Sequence, residues 1–162
     1  MIIDSGNRTE FSTGAVRDIQ IGKGRCDLLP LDVISSLFGK IGDRTSEMIY
    51  LFLSQFVGDG DTDHLLDVLH ICVPKLFEDY ETMTIEVSKH FEEGCAKYGE
   101  NNWQKGINAH CYVNSAVRHH LKHLRGDTDE RHDRAFVWNI MCAVWTCEHL
   151  PELNDYKRGE KL

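Results

Sequence analysis

Two carboxylates and an imidazole recur at helical spacing in the segment EVSKHFEEG. Glu86, His90 and Glu93 are three or four residues apart. If Val87 marks the centre of an apolar helix stripe, the three fall together on one flank of it. Oxygen-rich ligands at the edge of a helical core suit a magnesium-type ion. A solvated charged face beside the core remains the alternative for each acid.

A second acidic segment, GDTDERHDR, opens the last helical pattern of the chain. Asp129 and Asp133 project onto the apolar stripe of Phe136 and Ile140, and Glu130 flanks it. An ionised aspartate that faces a core is costly unless it is paired or binds a metal. The helix dipole explains acids in a first turn, which covers Asp129 and Glu130 better than Asp133. We therefore predict Asp133 as a metal ligand.

The segment KYGENNWQKG reads as a turn between two helices. Asn102 suits a tight turn, and Trp103 either stacks on a nucleobase or anchors the loop. Lys97 and Lys105 contact phosphates or lie in solvent. The turn is thus a candidate substrate contact with a structural alternative at each position.

Basic residues stand out in two further places. RHHLKHLR carries Arg118 and His119, which either meet a phosphate or a metal-bound water or sit at the core edge, and it turns His120 inward. KGR, ending in Arg25, is too short for a phosphate loop and lacks the Walker pattern. Arg25 is therefore a weak candidate.

The composition narrows the class of protein. The chain has 162 residues and a net charge of -8, which argues against a nucleic acid polymer as partner. No run of about 18 apolar residues predicts a membrane span, and MIIDSGNRTE lacks the pattern of a signal peptide. Six cysteines without a CxxC pair indicate reduced, mostly buried thiols in a cytosolic setting.

Helical periodicity dominates the chain, and no segment alternates as a strand. In the long helix, one buried stripe is predicted from Leu76, Tyr80, Met83, Val87, Phe91 and Tyr98. We predict one all-α domain, a helical bundle over 1–162, with an extended N-terminal arm (1–30). The helices are expected at 31–38, 45–58, a short stretch before Pro74, about 76–98, 109–125, and from a cap at Asp127 or Thr128 to about 149.

Several stretches together resemble one known family. They are STGAVRDIQIGKGRCDLLP, HFEEGCAKYGENNWQKG, SAVRHHLKHLRGD and HDRAFVWN. They resemble phage-associated dATP/dGTP diphosphohydrolases, which are akin to the MazG-like all-α nucleoside triphosphate pyrophosphatases and lie near the MazZ enzymes of phages. The resemblance covers about 12–30 and 76–150, so that 31–75 is interpreted as a helical insertion and 76–150 as the core helices.

This resemblance implies metal-dependent hydrolysis of dGTP or dATP to the monophosphate and pyrophosphate. It also implies Mg²⁺ or Mn²⁺, a dimer or tetramer, and a role in tuning a phage nucleotide pool in the cytoplasm of a bacterial host. Superfamily members hold metal with ExxE and ExxD motifs. Glu130 to Asp133 fits ExxD, whereas ExxE is absent and only His90 to Glu93 has its spacing.

The resemblance also assigns roles. The implied metal ligands are Glu86, Glu93, Asp129, Glu130 and Asp133, and a carboxylate or His90 takes a proton from water. The implied substrate contacts are Arg25, Lys97, Asn102, Trp103, Lys105, Arg118 and His119.

Two alternatives remain open from the residues. A metal-dependent phosphohydrolase could use His119, His132 and Asp133 to cut a nucleoside monophosphate, releasing inorganic phosphate. A non-enzymatic acidic helical protein could instead inhibit a host factor, with no dependence on metal.

Overall fold

The computed structural model describes residues 5–157, and most of them are helical. A hairpin of β1 (Arg8–Glu10) and β2 (Val16–Asp18) comes first, and its strands pair antiparallel. The helices that follow are α1 (Leu31–Lys40), α2 (Arg44–Asp59), α3 (Asp63–Leu76), α4 (Tyr80–Tyr98), α5 (Ala109–Arg125) and α6 (His132–His149). The predicted all-α helical bundle is confirmed.

Helix α6 lies at the centre of the bundle. It packs against α3, α4 and α5, whereas α1 packs on α2 and α2 on α3. Residues on nearly all sides of α6 are buried, among them Phe136, Val137 and Ile140. A helix that is apolar all round belongs inside a core. The elements of the bundle are therefore organised around α6.

Several predicted boundaries shift in the structure. Helix α5 spans 109–125 as predicted, but α3 runs through Pro74 and ends at Leu76. Helix α4 begins at Tyr80, because Asp79 accepts a hydrogen bond from the Thr82 N–H and caps it. Tyr80 is 49% exposed at this terminus, so its place in the buried stripe was wrong.

The start of α6 is a larger correction. Neither Asp127 nor Thr128 caps it; residues 127–131 form an irregular loop with a bend at 129–130, and the helix begins at His132. Projecting the stripe of α6 back onto Asp129 was therefore wrong, because a residue outside the helix does not share its period. Asp133 is buried as predicted, but it lies in the first turn, where the helix dipole already stabilises a carboxylate.

The N-terminal arm is folded onto the bundle. The predicted arm contains the hairpin, which sequence alternation missed because each strand has only three residues. The Val16 N–H donates to Asn102 Oδ1 (2.9 Å), and Asn102 Nδ2 donates to the Val16 carbonyl (2.8 Å). The Cys26 N–H donates to Asn114 Oδ1 on α5 (2.7 Å). Residues 1–4 of the predicted arm lie outside the described residues.

Membrane and thiol predictions have simple outcomes. No helix within residues 5–157 combines the length and apolar character needed to cross a bilayer. All six cysteines are free thiols, four of them buried, as predicted; Cys26 is half-buried and Cys95 is exposed.

A pH-dependent contact joins α5 to the C-terminal segment. Asp155 accepts hydrogen bonds from His110 Nδ1 and from the His110 N–H (3.0 Å), and this carboxylate raises the pKa of His110 to about 10. A raised histidine pKa contributes stability that is complete below about pH 6.5 and is lost as the pH rises towards 10.

Replacing Asp155 by asparagine should therefore lower the melting temperature most below pH 6.5. Since the pair is about one third exposed, we expect a loss of about 1 kcal/mol or less. The difference from wild type should shrink between pH 6.5 and 10, as measured by thermal melts across that range. Exposed Glu152 provides the control, Glu152→Gln; a constant Asp155→Asn difference at all pH values would contradict the account.

Candidate functional site

A cavity of about 710 Å³ opens between the hairpin and the bundle. Residues of β2, α4, the 99–107 turn, α5 and α6 line it. This size is typical of small-molecule sites. The cavity therefore brings together the N-terminal arm, the predicted turn and the helices that carry His90 and His119.

Aromatic side chains form one wall of the cavity. Trp103 and Trp138 both line it with Phe91. Trp103 packs edge-on against Trp145 and Phe91, with ring centroids 4.9 and 5.4 Å away. The loop-anchor interpretation of Trp103 therefore holds, and the same ring still borders the cavity. Such a wall can accept a flat aromatic ligand by stacking.

Cations line another part of the cavity, above all Arg17 and Arg118. Arg17 Nη2 donates to Asn139 Oδ1 (2.5 Å), and its guanidinium lies 5.1 Å from the Tyr112 ring centroid. Arg118 Nη2 donates to Ser115 Oγ (3.0 Å). These neutral partners fix the two groups in position without cancelling their charge.

The two guanidinium groups form no close ion pair within the described part of the chain. Among residues 5–157, neither Arg17 nor Arg118 forms a salt bridge with a carboxylate, and the Nη1 atom of each is buried without a hydrogen-bond partner. Burial and the nearby charge of Arg17 lower the pKa of Arg118. A partly desolvated charge without an ion-pair partner is unfavourable, so the arrangement is suited to an anionic ligand that would pair both groups.

Two imidazoles and a carboxylate meet at the edge of the same cavity. His119 Nδ1 lies 3.0 Å from His132 Nδ1 and 3.3 Å from Glu130 Oε1, and His132 Nδ1 lies 3.6 Å from that oxygen. His132 Nε2 lies 2.7 Å from Asp129 Oδ1. Burial, aided by Arg118, lowers the pKa of His119 to about 2. The predicted residues Glu130, Asp129 and His119 are thus neighbours, although the helix period that linked the acids was wrong.

Glu86 and Asp133 lie elsewhere, in an ion-pair network between α4 and α6. Glu86 Oε2 accepts from Arg134 Nε (2.9 Å) and lies 3.4 Å from Arg131 Nη1. Asp133 accepts from Arg131 Nε (3.0 Å) and Nη2 (2.6 Å). Hydrogen bonds from Lys89 and Arg134 lower the pKa of Glu86 to about 2. Arginines neutralise both acids, and neither acid lines the cavity.

The remaining predicted residues divide into two groups. His90, Asn102, Trp103, Arg118, His119 and Glu130 line the cavity. Burial lowers the pKa of His90 to about 4, so its imidazole is neutral near pH 7. Outside the lining lie Arg25, which pairs with Asp27, Lys97, whose Nζ is 5.2 Å from the Tyr98 ring, exposed Lys105 and half-buried Glu93.

Sequence reasoning missed Arg17 as a site residue. It sits in the arm, more than 100 residues before Arg118, and no local period links the two. The only available signal was its position inside STGAVRDIQIGKGRC, one of the stretches that carried the family resemblance. His132 was likewise weighed only for the alternative phosphohydrolase.

Comparison with known proteins agrees with the cavity's chemistry. The family model described as dATP/dGTP diphosphohydrolase, N-terminal, matches residues 74–156, about half of the chain. No curated protein and no solved structure gave a significant match. The matched region includes the aromatic wall, Arg118 and the two imidazoles. The chain therefore belongs to the dATP/dGTP diphosphohydrolase family of nucleoside triphosphate pyrophosphohydrolases.

Proposed function

We propose that the cavity hydrolyses dGTP and dATP to the monophosphate and pyrophosphate with the help of a divalent ion. The observation that carries the proposal is the pair of half-buried guanidinium groups, Arg17 and Arg118, which form no salt bridge with a carboxylate among the described residues and each bury an unpaired Nη1 atom. A triphosphate would supply the missing negative charge. Together with family membership, this favours the enzyme over the acidic inhibitor considered above.

The two sides of the cavity suit the two ends of such a substrate. A purine would lie against Trp103 and Trp138, where stacking on an aromatic wall contributes about 1–3 kcal/mol per base. The phosphates would meet Arg17 and Arg118, with Lys122 and Lys23 on the same lining. Of the predicted phosphate contacts, Arg25, Lys97 and Lys105 stay predictions, because they lie outside this lining.

Hydrolysis would proceed by attack of water on the α-phosphorus. The bond from that phosphorus to the oxygen bridging to the β-phosphorus would break, and pyrophosphate would leave. Arg17 and Arg118 would offset the charge that develops on the leaving group. A carboxylate or His90, which lines the cavity, would take the proton from water. A divalent ion, when bound, neutralises phosphate charge and orients the substrate.

The residues around His119 are better placed to bind such an ion than the five predicted metal ligands taken together. Glu130 and the imidazoles converge within 4.8 Å of one another, whereas Glu86 and Asp133 are already paired with arginines. Glu93 stays a prediction. The resemblance alone supports the further proposals of a dimer or tetramer, a cytoplasmic location in a bacterial host and the tuning of a phage nucleotide pool.

The test is product analysis in water labelled with oxygen-18. Each dNTP is incubated with protein and Mg²⁺ or Mn²⁺, and the products are resolved by ion exchange. We expect dGMP and dAMP with pyrophosphate, and the label in the monophosphate, because water attacks the α-phosphorus. Label in pyrophosphate, a diphosphate with inorganic phosphate, or release of phosphate from a monophosphate would contradict the proposal.

A further inference from the structure

The imidazoles and carboxylate at the cavity edge have the donor geometry of a transition-metal site. We propose that His119, His132 and Glu130 bind one divalent ion of the Mn²⁺, Co²⁺ and Zn²⁺ group in preference to Mg²⁺. The role of this metal site rests on the proposed function, since the ion would act on the same substrate. Metal binding at the site can nevertheless be measured without any nucleotide.

The spacing of the three donor atoms fits one ion. Two adjacent ligands that are each about 2.1 Å from a metal lie about 3.0 Å apart in an octahedron and about 3.4 Å apart in a tetrahedron. The three observed separations are 3.0, 3.3 and 3.6 Å. The three donor atoms are therefore already separated by the distances expected of ligands to one ion, and binding would require little movement of the side chains.

Asp129 sets the tautomer that this site needs. Its Oδ1 lies 2.7 Å from His132 Nε2, and an ionised carboxylate only accepts hydrogen bonds. The hydrogen of neutral His132 therefore resides on Nε2, and the lone pair is on Nδ1, which faces His119 and Glu130. A carboxylate that orients the far nitrogen of a ligating histidine is the usual support of such a site. Asp129 is thus a positioning residue.

A competing arrangement shares His132 but is less suited to an ion. Asp127, Asp129 and His132 also lie close together. However, Asp127 accepts a hydrogen bond from Arg125 Nε (2.7 Å), and Asp129 pairs with Lys122 Nζ (3.0 Å). These acids are already neutralised, and the arrangement needs the lone pair on the opposite nitrogen. One neutral imidazole cannot offer both nitrogens, so the two sites exclude each other.

The ligand types select the class of ion. Two imidazole nitrogens suit Co²⁺ or Zn²⁺ and, together with the Glu130 carboxylate, can also hold Mn²⁺, whereas Mg²⁺ prefers oxygen ligands and several waters. Three protein donors also leave positions that substrate oxygens could fill. His119 and Glu130 line the cavity beside Arg118, so these positions would face the same bound phosphate.

The test measures metal binding to the chelator-treated full chain without nucleotide. We expect one Co²⁺ per chain with a visible ligand-field band, displaced by Zn²⁺ but not by an equal concentration of Mg²⁺. His119→Ala should weaken Co²⁺ binding by more than the roughly 10- to 100-fold typical of outer-shell losses. Asp129→Ala should fall within that range. Exposed His123 on the same helix gives the control, His123→Ala, with unchanged affinity.

Two outcomes would overturn the site: wild-type Co²⁺ affinity in His119→Ala, or equal competition by Mg²⁺. His132 is only 2% exposed, so its replacement can disturb the fold. The melting temperature of His132→Gln is therefore compared with that of wild type, and the test relies on His119→Ala alone if His132→Gln is unfolded. The site and the activity fail separately. Wild-type Co²⁺ affinity in His119→Ala, in a protein that still hydrolyses dNTPs, removes the site alone, and Co²⁺ binding without dNTP hydrolysis removes the activity alone.

Discussion

Replacing Arg118 by glutamine should lower kcat/KM for dGTP by about 100-fold or more, the cost of removing one donor to a developing charge. The same change should leave the nucleotide-free protein as stable as wild type or more stable. In the free protein the half-buried Arg118 forms no salt bridge with a carboxylate among residues 5–157, and its Nη1 atom is buried without a partner; removing a charge that is desolvated without a partner is neutral or stabilising. Activity and stability should therefore move in opposite directions.

Steady-state kinetics and urea unfolding together check this result. Arg125→Gln is the matched control, because Arg125 lies on the same helix but is exposed and pairs with Asp127; its kcat/KM should stay near wild type. Arg118→Gln with normal kcat/KM would exclude Arg118 from phosphate binding. A marked loss of stability would instead show that its charge is balanced in the free protein.

Replacing Asn102 by alanine should lower the free energy of unfolding by about 2–3 kcal/mol, because two hydrogen bonds are lost and the backbone groups of Val16 are left without these partners. The amide of Asn102 is bonded through both its oxygen and its nitrogen to Val16, the residue before Arg17. Loosening this contact should also raise KM for dGTP, since Arg17 would no longer be held at the cavity.

Unfolding curves, KM and limited proteolysis of the arm measure the two effects. Gln104→Ala, an exposed change in the same turn, should alter none of them. A stable Asn102→Ala protein with raised KM would indicate direct contact between Asn102 and the substrate, as the family resemblance implies. Unchanged stability together with unchanged KM would mean that the hydrogen bonds between Asn102 and Val16 are not needed to hold the arm.

The helices of the bundle were largely predictable because their signals are local. Helix α5 has a regular apolar stripe and Gly126 in the left-handed conformation just after it (φ 85°), and the predicted span matched. The start of α6 was not predictable in this way. The acids at 127, 129 and 130 are as typical of a first helical turn as of a preceding loop, and in the loop Asp127 and Asp129 contact Arg125 and Lys122.

The candidate site was predictable only where chemistry follows helical spacing. His119 and Arg118 share one helix and were found together. Arg17 was missed because a tertiary contact brings the arm to α5, and no sequence period records it. Glu86 and Asp133 attracted attention as acids near a core, but Arg131 and Arg134, which neutralise them, were not considered. The spacing of acids along the chain therefore did not identify the metal-site candidates, because it does not show which acids are paired with arginines in the folded structure.

The unequal exposure of the cysteines has a practical consequence. Cys95 is the one exposed thiol of the six, all of which lie in the described part of the chain, and it borders the cavity. Burial raises the pKa of Cys26, Cys72, Cys142 and Cys147, which slows their alkylation. A fluorophore can therefore be attached to Cys95, beside the cavity, without first replacing the other cysteines. Its signal would report whether a ligand occupies the cavity.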